Sequence, residues 1–361
     1  MHRVLIIGAG KIGSLIAFLL AQSTDYQVFL ADITSEPHWL KSFATIPHLT
    51  YHSLDATDEA AITTFVKEKK IEALVSSLPY FQNIHIASVA AALNIHYFDL
   101  TEDRDTTLAI QRLANDKSAA FVPQCGLAPG FINIIATELM SSFSELDTVK
   151  LRVGALPATT SNALQYALTW STDGLINEYG NLCQIIEQGQ LINALPLEGL
   201  EEVNIDGLTY EAFNTSGGIG SLIENYAGKV NNLSYKTIRY PGHCAKMKFL
   251  MNDLKLNTDR HLLKQILEQA VPKTDQDVVL VYVSVTGKKQ KDFDETNYVR
   301  KFYPQTLQNH HWSAIQLTTA TEICAIIDLV FATPDHYQGF IAHHRFTFPA
   351  LIQNRFGRFY A

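Results

Sequence analysis

In the first third of the chain, short apolar runs alternate with amphipathic stretches. Residues 4–7, 28–31, 49–54, 71–76, 96–100 and 119–123 have strand length and are apolar enough to be buried, and helical period fills 14–22, 59–69, 82–93 and 106–117. Strand followed by helix, six times over with short connections, predicts a parallel sheet covered on both faces. The alternation breaks at Gln124-Cys125-Gly126-Leu127-Ala128-Pro129-Gly130, where two glycines and a proline mark a hinge, and a helix over 131–142 follows. From residue 149 the strands alternate polar and apolar positions. Runs at 149–154, 203–205 and 278–286 are separated by turn clusters at 204–207 and 215–218, which predicts a mixed or antiparallel sheet with a few helices. Residues 312–331 are helical in period and strongly apolar, so they must pack against something large. The expected class is α/β: a doubly wound parallel sheet over 1–125, an α+β domain with a mixed sheet over 126–310, and a segment 311–361 folding back to brace the first domain or the hinge.

The first strand runs into Gly8-Ala9-Gly10-Lys11-Ile12-Gly13, and the second ends at Asp32. Strand, glycine turn, helix, strand and acid, at about the 20-residue spacing of a dinucleotide site, give each glycine a task. Gly8 permits the turn, Gly10 lets a pyrophosphate approach the backbone, and Gly13 lets the helix pack closely. Helix N–H groups, with those of Lys11 and Ile12 among them, face the phosphates. Asp32 accepts bonds from the ribose hydroxyls and repels a 2′-phosphate, so NAD is expected in preference to NADP. Asp55 either contacts the adenine edge or, like Asp58, caps the helix at 59–69. Ser76, Ser77, Leu78, Pro79 and Tyr80 lie where the fourth strand ends, near the nicotinamide half.

The net charge of −8 has no basic block set against it, which excludes a nucleic-acid role and leaves a small molecule as the expected partner. No apolar stretch approaches the ~20 residues of a membrane span, and strand one begins almost at the N-terminus, so no membrane association and a cytoplasmic location are expected. Cys125, Cys183, Cys244 and Cys324 show neither pairing nor metal-ligand spacing, so no disulfide and no metal are expected. The apolar strands of the second domain suggest a homodimer.

Gly8 to Gly13, Ser77-Leu78-Pro79-Tyr80, Tyr97-Phe98-Asp99-Leu100-Thr101-Glu102, Gly126-Leu127-Ala128-Pro129-Gly130 and Arg239-Tyr240-Pro241-Gly242-His243 together resemble the saccharopine dehydrogenase family, its lysine 6-dehydrogenase branch in particular. The resemblance covers nearly the whole chain. It implies an NAD(P)-dependent oxidoreductase acting at a carbon that bears an amine, built as a Rossmann domain followed by a substrate and dimerisation domain. Gln124 stands where the family pattern has glycine, and Cys244 where it has alanine.

Oxidising an amine by hydride transfer needs a group that takes the amine proton near neutral pH. His243, in a turn rich in polar groups, is the first candidate; its alternative is a histidine satisfied by backbone. Lys246 serves if burial lowers its pKa, Glu102 or Asp103 if they orient the amine, and Tyr80 if it bonds the reacting nitrogen. Asp103 is otherwise a helix cap. Arg239 is the expected anchor for a substrate carboxylate. Arg152, Arg239, Arg260 and Arg300 are the only arginines between 126 and 310, a scarcity that suits lysine better than the three carboxylates of saccharopine.

Overall fold

Residues 1–34 and 46–361 are described by a computed structural model of the chain; the irregular stretch read around Pro37 lies outside the described residues. In the first unit, Met1–Gly130 with Thr318–Ala361, six strands run parallel: β1 (His2–Ile7), β2 (Tyr26–Asp32), β3 (Leu49–Ser53), β4 (Ala73–Ser76), β5 (His96–Asp99) and β6 (Ala120–Val122). Their order is β6-β5-β4-β1-β2-β3, and the two-residue strand Gly339–Phe340 extends the sheet beyond β6. Val4, Leu5, Ile6 and Ile7 are all buried because helices cover both faces, which is why these strands read as continuous apolar runs. Strand order reverses between β1 and β4, and ligands of such sheets bind in the crevice at the strands' carboxyl ends there.

The helices of this unit are α1 (Lys11–Ala21), α2 (Glu59–Lys69), α3 (Asn83–Leu93) and α4 (Arg104–Leu113). α1 starts at Lys11, earlier than its amphipathic period begins, because Gly13 packs against the glycine turn as part of the first helical turn. Asp58 caps α2, accepting the Ala61 N–H at 2.9 Å. Asp103 caps α4, accepting the Thr106 N–H at 2.8 Å.

The helix Ala314–Ala332 has Glu322 and Asp328 as its only charges. By length and composition it is apolar enough to cross a membrane, which corrects the reading that no such stretch exists; within the protein it is mostly buried. From Thr318 on it packs inside the first unit. The Tyr26 hydroxyl donates to Asp328 at 2.8 Å, Phe331 stacks on His2 at 4.1 Å, and the Tyr360 hydroxyl donates to the Thr318 carbonyl. In sequence the limits fall at 125 and 311; the first unit closes at Gly130 and resumes at Thr318.

The second unit, Phe131–Leu317, carries β7 (Glu145–Pro157), β8 (Cys183–Glu187), β9 (Gln190–Ala194), β10 (Glu201–Ile205), β11 (Leu208–Asn214), β12 (Val230–Arg239), β13 (Asp277–Lys289) and β14 (Asp292–Phe302). The sheet is mixed, in the order β10-β11-β12-β7-β13-β14, with β8 on β12 and β9 on β8. β12 runs parallel to β7, and β13 antiparallel to it. β7 and β13 outrun their apolar centres because the polar ends keep pairing, with Lys288 against Glu145 at 2.7 Å. The helix Ile132–Met140 covers one face, and Phe131 before it meets Tyr298 and Phe302 edge-on. A separate core gathers Tyr166, Leu175, Tyr179, Phe213, Met247 and Leu263.

Candidate functional site

At the end of β1 the chain turns at Gly8 with φ +106°, and a Cβ there would lie 2.5 Å from the Ser77 carbonyl oxygen. Gly13 rests on the same turn: its Cβ would lie 1.9 Å from the Gly8 carbonyl oxygen. Gly10 differs, since nothing lies within 4 Å of the place its Cβ would take. No side chain caps α1 at Gly10, and its first turn holds no acid. The positive end of the helix dipole therefore meets open space beside the switch point, a cradle that fits a pyrophosphate. Lys11 is exposed and Ile12 half-buried at this end.

Asp32 closes β2 with both carboxylate oxygens held: Oδ2 accepts from Ala9 N–H at 2.7 Å and Oδ1 from Thr34 N–H at 2.9 Å. Partial burial works to raise its pKa, but the N–H bonds from Thr34 and Ala9 leave it below the usual range. The group is a fixed anion. Ser77 and Leu78 are half-buried after β4, with the Ser77 N–H on the Ile7 carbonyl at 2.8 Å, and Pro79 is exposed. Tyr80 opens a short 3₁₀ turn after β4, and Glu102 follows β5; both are half-buried on the carboxyl edge that carries the glycine turn. Asp55 is exposed and bends its own loop, taking the Thr57 N–H and hydroxyl on Oδ1 at 2.8 Å each. Asp103, read as a substrate contact, serves α4 as its cap.

A second polar group in this unit is fully buried. Asp99 accepts from the Tyr97 hydroxyl at 2.8 Å and from the N–H groups of Thr101 and Gln124 at 2.9 and 3.0 Å, tying the end of β5 to the Gly126–Gly130 turn. Glu322 accepts the Gly126 N–H at 2.6 Å, and its other oxygen stands 3.2 Å from Nε2 of His343, an ion-pair contact without the alignment of a hydrogen bond. The Cys125 thiol belongs to the same cluster, with ligand atoms of Cys125, Glu322 and His343 all within 4.8 Å of one another. Sequence spacing shows nothing of it, because the three lie far apart in the chain. The available signal was Glu322 itself, one of two charges in an otherwise apolar helix. Burial pushes the Cys125 thiol up and raises Glu322.

Burial also raises Asp99, to about 6 from the usual 3.8. The folded chain then holds a proton that the unfolded chain has released. The resulting stabilisation is complete below about pH 4 and is lost as pH rises through 6, about 3 kcal/mol at roughly 1.4 kcal/mol per unit. Asp99→Asn is expected to remove that dependence, which denaturation midpoints of both proteins between pH 4 and 7.5 would read. Parallel curves would place the proton elsewhere.

In the second unit, Arg239, Tyr179 and His243 form a closed chain of donors. Arg239 Nε donates to the Tyr179 hydroxyl at 2.9 Å, and that hydroxyl lies 3.2 Å from His243 Nε2. His243 Nδ1 is 2.8 Å from the Leu164 carbonyl. A carbonyl only accepts, so Nδ1 carries the proton and Nε2 takes the one from Tyr179. Burial, then the Arg239 charge, lowers the His243 pKa to about 3. His243 is wholly buried, neutral and bonded at both nitrogens, so its surroundings are those of a backbone-satisfied histidine and not of an open base. Arg239 is 2% exposed, with its guanidinium over the rings of Tyr166 and Tyr179. It is a core cation, not an exposed carboxylate anchor. Lys246 holds the Gly242 carbonyl at 2.8 Å.

Comparison with known proteins settles the family. The model described as the saccharopine dehydrogenase NADP binding domain matches residues 4–122, and that described as the saccharopine dehydrogenase C-terminal domain matches residues 126–350. The chain belongs to the saccharopine dehydrogenase family. Among its relatives in this family, the saccharopine dehydrogenase (NADP+, L-glutamate-forming) of Pyricularia oryzae is 23% identical over 242 residues, which are 64% of this chain and 53% of that protein. The chain thus spans about half the length of that curated relative. The apo saccharopine dehydrogenase (L-Glu forming) of Saccharomyces cerevisiae shares the fold, with a TM-score of 0.76 at 14% identity over 95% of this chain and 94% of that one. Saccharopine dehydrogenases are nicotinamide-dependent oxidoreductases, and the N-terminal family description names NADP where the sequence favours NAD.

Proposed function

We propose that this member of the family is a dehydrogenase of the CH–NH group of an amino acid, with saccharopine and lysine as the candidate substrates. The observation that carries the reading is the uncapped α1 N-terminus over open space at Gly10, beside the β1/β4 switch point. A bound nicotinamide dinucleotide would supply the hydride acceptor. Gly8, Gly10 and Gly13 would hold its pyrophosphate, and Asp32 its ribose. Tyr80 and Glu102, on the same carboxyl edge, are the groups we assign to orienting the amine and taking its proton.

NAD is our choice of cofactor, because a fixed anion at Asp32 opposes a 2′-phosphate. NADP, named for the family and for the Pyricularia oryzae relative, would require cations to offset it, and His38 and Lys41 lie in the stretch outside the described residues. Three of the four arginines weighed as carboxylate anchors are engaged: Arg152 with Glu201 and Ser234, Arg239 with Tyr179, and Arg260 with Asn257 and Asn181. That favours a substrate with few carboxylates.

The test follows reduced-cofactor absorbance at alkaline pH with NAD or NADP, offering lysine and saccharopine in turn. Turnover with one of them is expected, faster with NAD, and Glu102→Gln should lower kcat about a hundredfold, within the usual range for a general base. Cofactor binding without turnover of either substrate would defeat the reading, and faster turnover with NADP would remove the role given to Asp32.

A further inference from the structure

β14 is the last strand of the second sheet. It pairs with β13 from Val279 opposite Phe302 to Lys289 opposite Asp292, and among the described residues no strand pairs with its other edge. An edge of 11 residues is long, and natural sheets usually shorten, bulge or cover such an edge, because its unpaired N–H and C=O groups template another strand. This one carries no proline. It leaves Phe293 at 68% and Val299 at 44% exposed, with Tyr303 just beyond it at 58%.

Its charges are sorted. Asp292, Asp294 and Glu295 fill the first half, and Arg300 and Lys301 the second. Such a strand is complementary to itself only when reversed. A parallel copy would set acid on acid, whereas an antiparallel copy centred on Asn297 sets residues equally far from Asn297 opposite one another. Asp294 then faces Arg300, Phe293 lies along the stem of Lys301, and Glu295 faces Val299.

We propose that two copies of this chain join through β14 as an antiparallel, two-fold pair centred on Asn297, extending the second sheet across both subunits. A two-fold interface is isologous, so each opposite-charge contact occurs twice. Within one subunit Asp294 meets Lys289 at 2.8 Å and accepts the Glu295 N–H at 2.8 Å, while Lys301 meets Asp206 at 2.7 Å. Asp294 against Arg300 is the pair that the second copy adds. Asp294 and Arg300 share one face of β14, since they are an even number of residues apart, so their side chains meet on the same side of the joined sheet.

Sedimentation equilibrium on the full chain tests the proposal. The wild type is expected at about twice its 40.3 kDa mass. Arg300→Asp and Asp294→Arg should each raise the dimer dissociation constant about tenfold or more, and the combined Asp294→Arg/Arg300→Asp protein should return to the wild-type value. Far-ultraviolet circular dichroism confirms that each variant is folded, and the combined swap also reports if either single variant is not. A monomeric wild type, single variants that dimerise as tightly as wild type, or a swap that fails to restore association would each overturn the antiparallel β14 interface.

Discussion

Gly13→Ala is expected to lose most of its dinucleotide affinity, about a hundredfold, and to lose stability, because the new methyl cannot be seated. It would stand 1.9 Å from the Gly8 carbonyl oxygen and 3.0 Å from Ser77 Cβ. Both neighbours are pinned: Gly8 by its φ of +106° and its N–H bond to Ala31, and Ser77 by its N–H bond to Ile7. α1 must therefore move off the sheet, an overpacking cost of ~1–3 kcal/mol, and its N–H groups leave the place where phosphates bind. Gly10→Ala separates the two effects. Its Cβ meets nothing within 4 Å, and Gly10 has the extended backbone, φ −69°, that alanine adopts freely. It should unfold with the wild type yet bind about tenfold more weakly, ~1.4 kcal/mol, because the methyl occupies the cofactor's space. Titration with NADH and NADPH, beside thermal denaturation, reads both variants. A Gly10→Ala protein that binds like the wild type would mean that no pyrophosphate lies over that glycine.

Arg239→Met is expected to destabilise the second unit by ~3–5 kcal/mol, the usual consequence of removing one partner from a buried charged network. The guanidinium donates to Tyr179 and to the Ile238 carbonyl, lies over two tyrosine rings, and sits in the field of the buried Glu178 carboxylate. Methionine fills much of the volume but supplies neither donor nor charge. Sequence alone assigns Arg239 to a substrate carboxylate, from which a raised KM at unchanged stability would follow. Urea denaturation distinguishes the two. An unchanged midpoint together with a raised KM would return Arg239 to the substrate site.

The expectations that held and those that failed differ in the range of the interaction behind them. Gly8, Gly10 and Gly13, the end of β2 at Asp32, and the caps at Asp58 and Asp103 are fixed by φ angles and hydrogen bonds spanning a few residues, or by one strand and the next. Apolar runs and their period carried the parallel sheet in the same way, since a strand buried on both faces must be apolar throughout. The length of β7 and β13 escaped the pattern because their polar ends are held by partners, not by burial.

His243 and Arg239 show the other case. A histidine and an arginine in a proline-glycine turn look available for chemistry, and whether they are depends on Tyr179 and Leu164, brought to them from elsewhere in the chain by the second core. The Gly126, Glu322 and His343 contacts likewise exist only because the helix Ala314–Ala332 returns to the first unit. By itself the sequence determined the dinucleotide turn, its acid and the class of sheet, because those are local stereochemistry and periodicity. Only the tertiary structure decided which polar side chains are sealed in and which stay on the working edge, because the desolvation that silences a charge comes from residues distant in sequence.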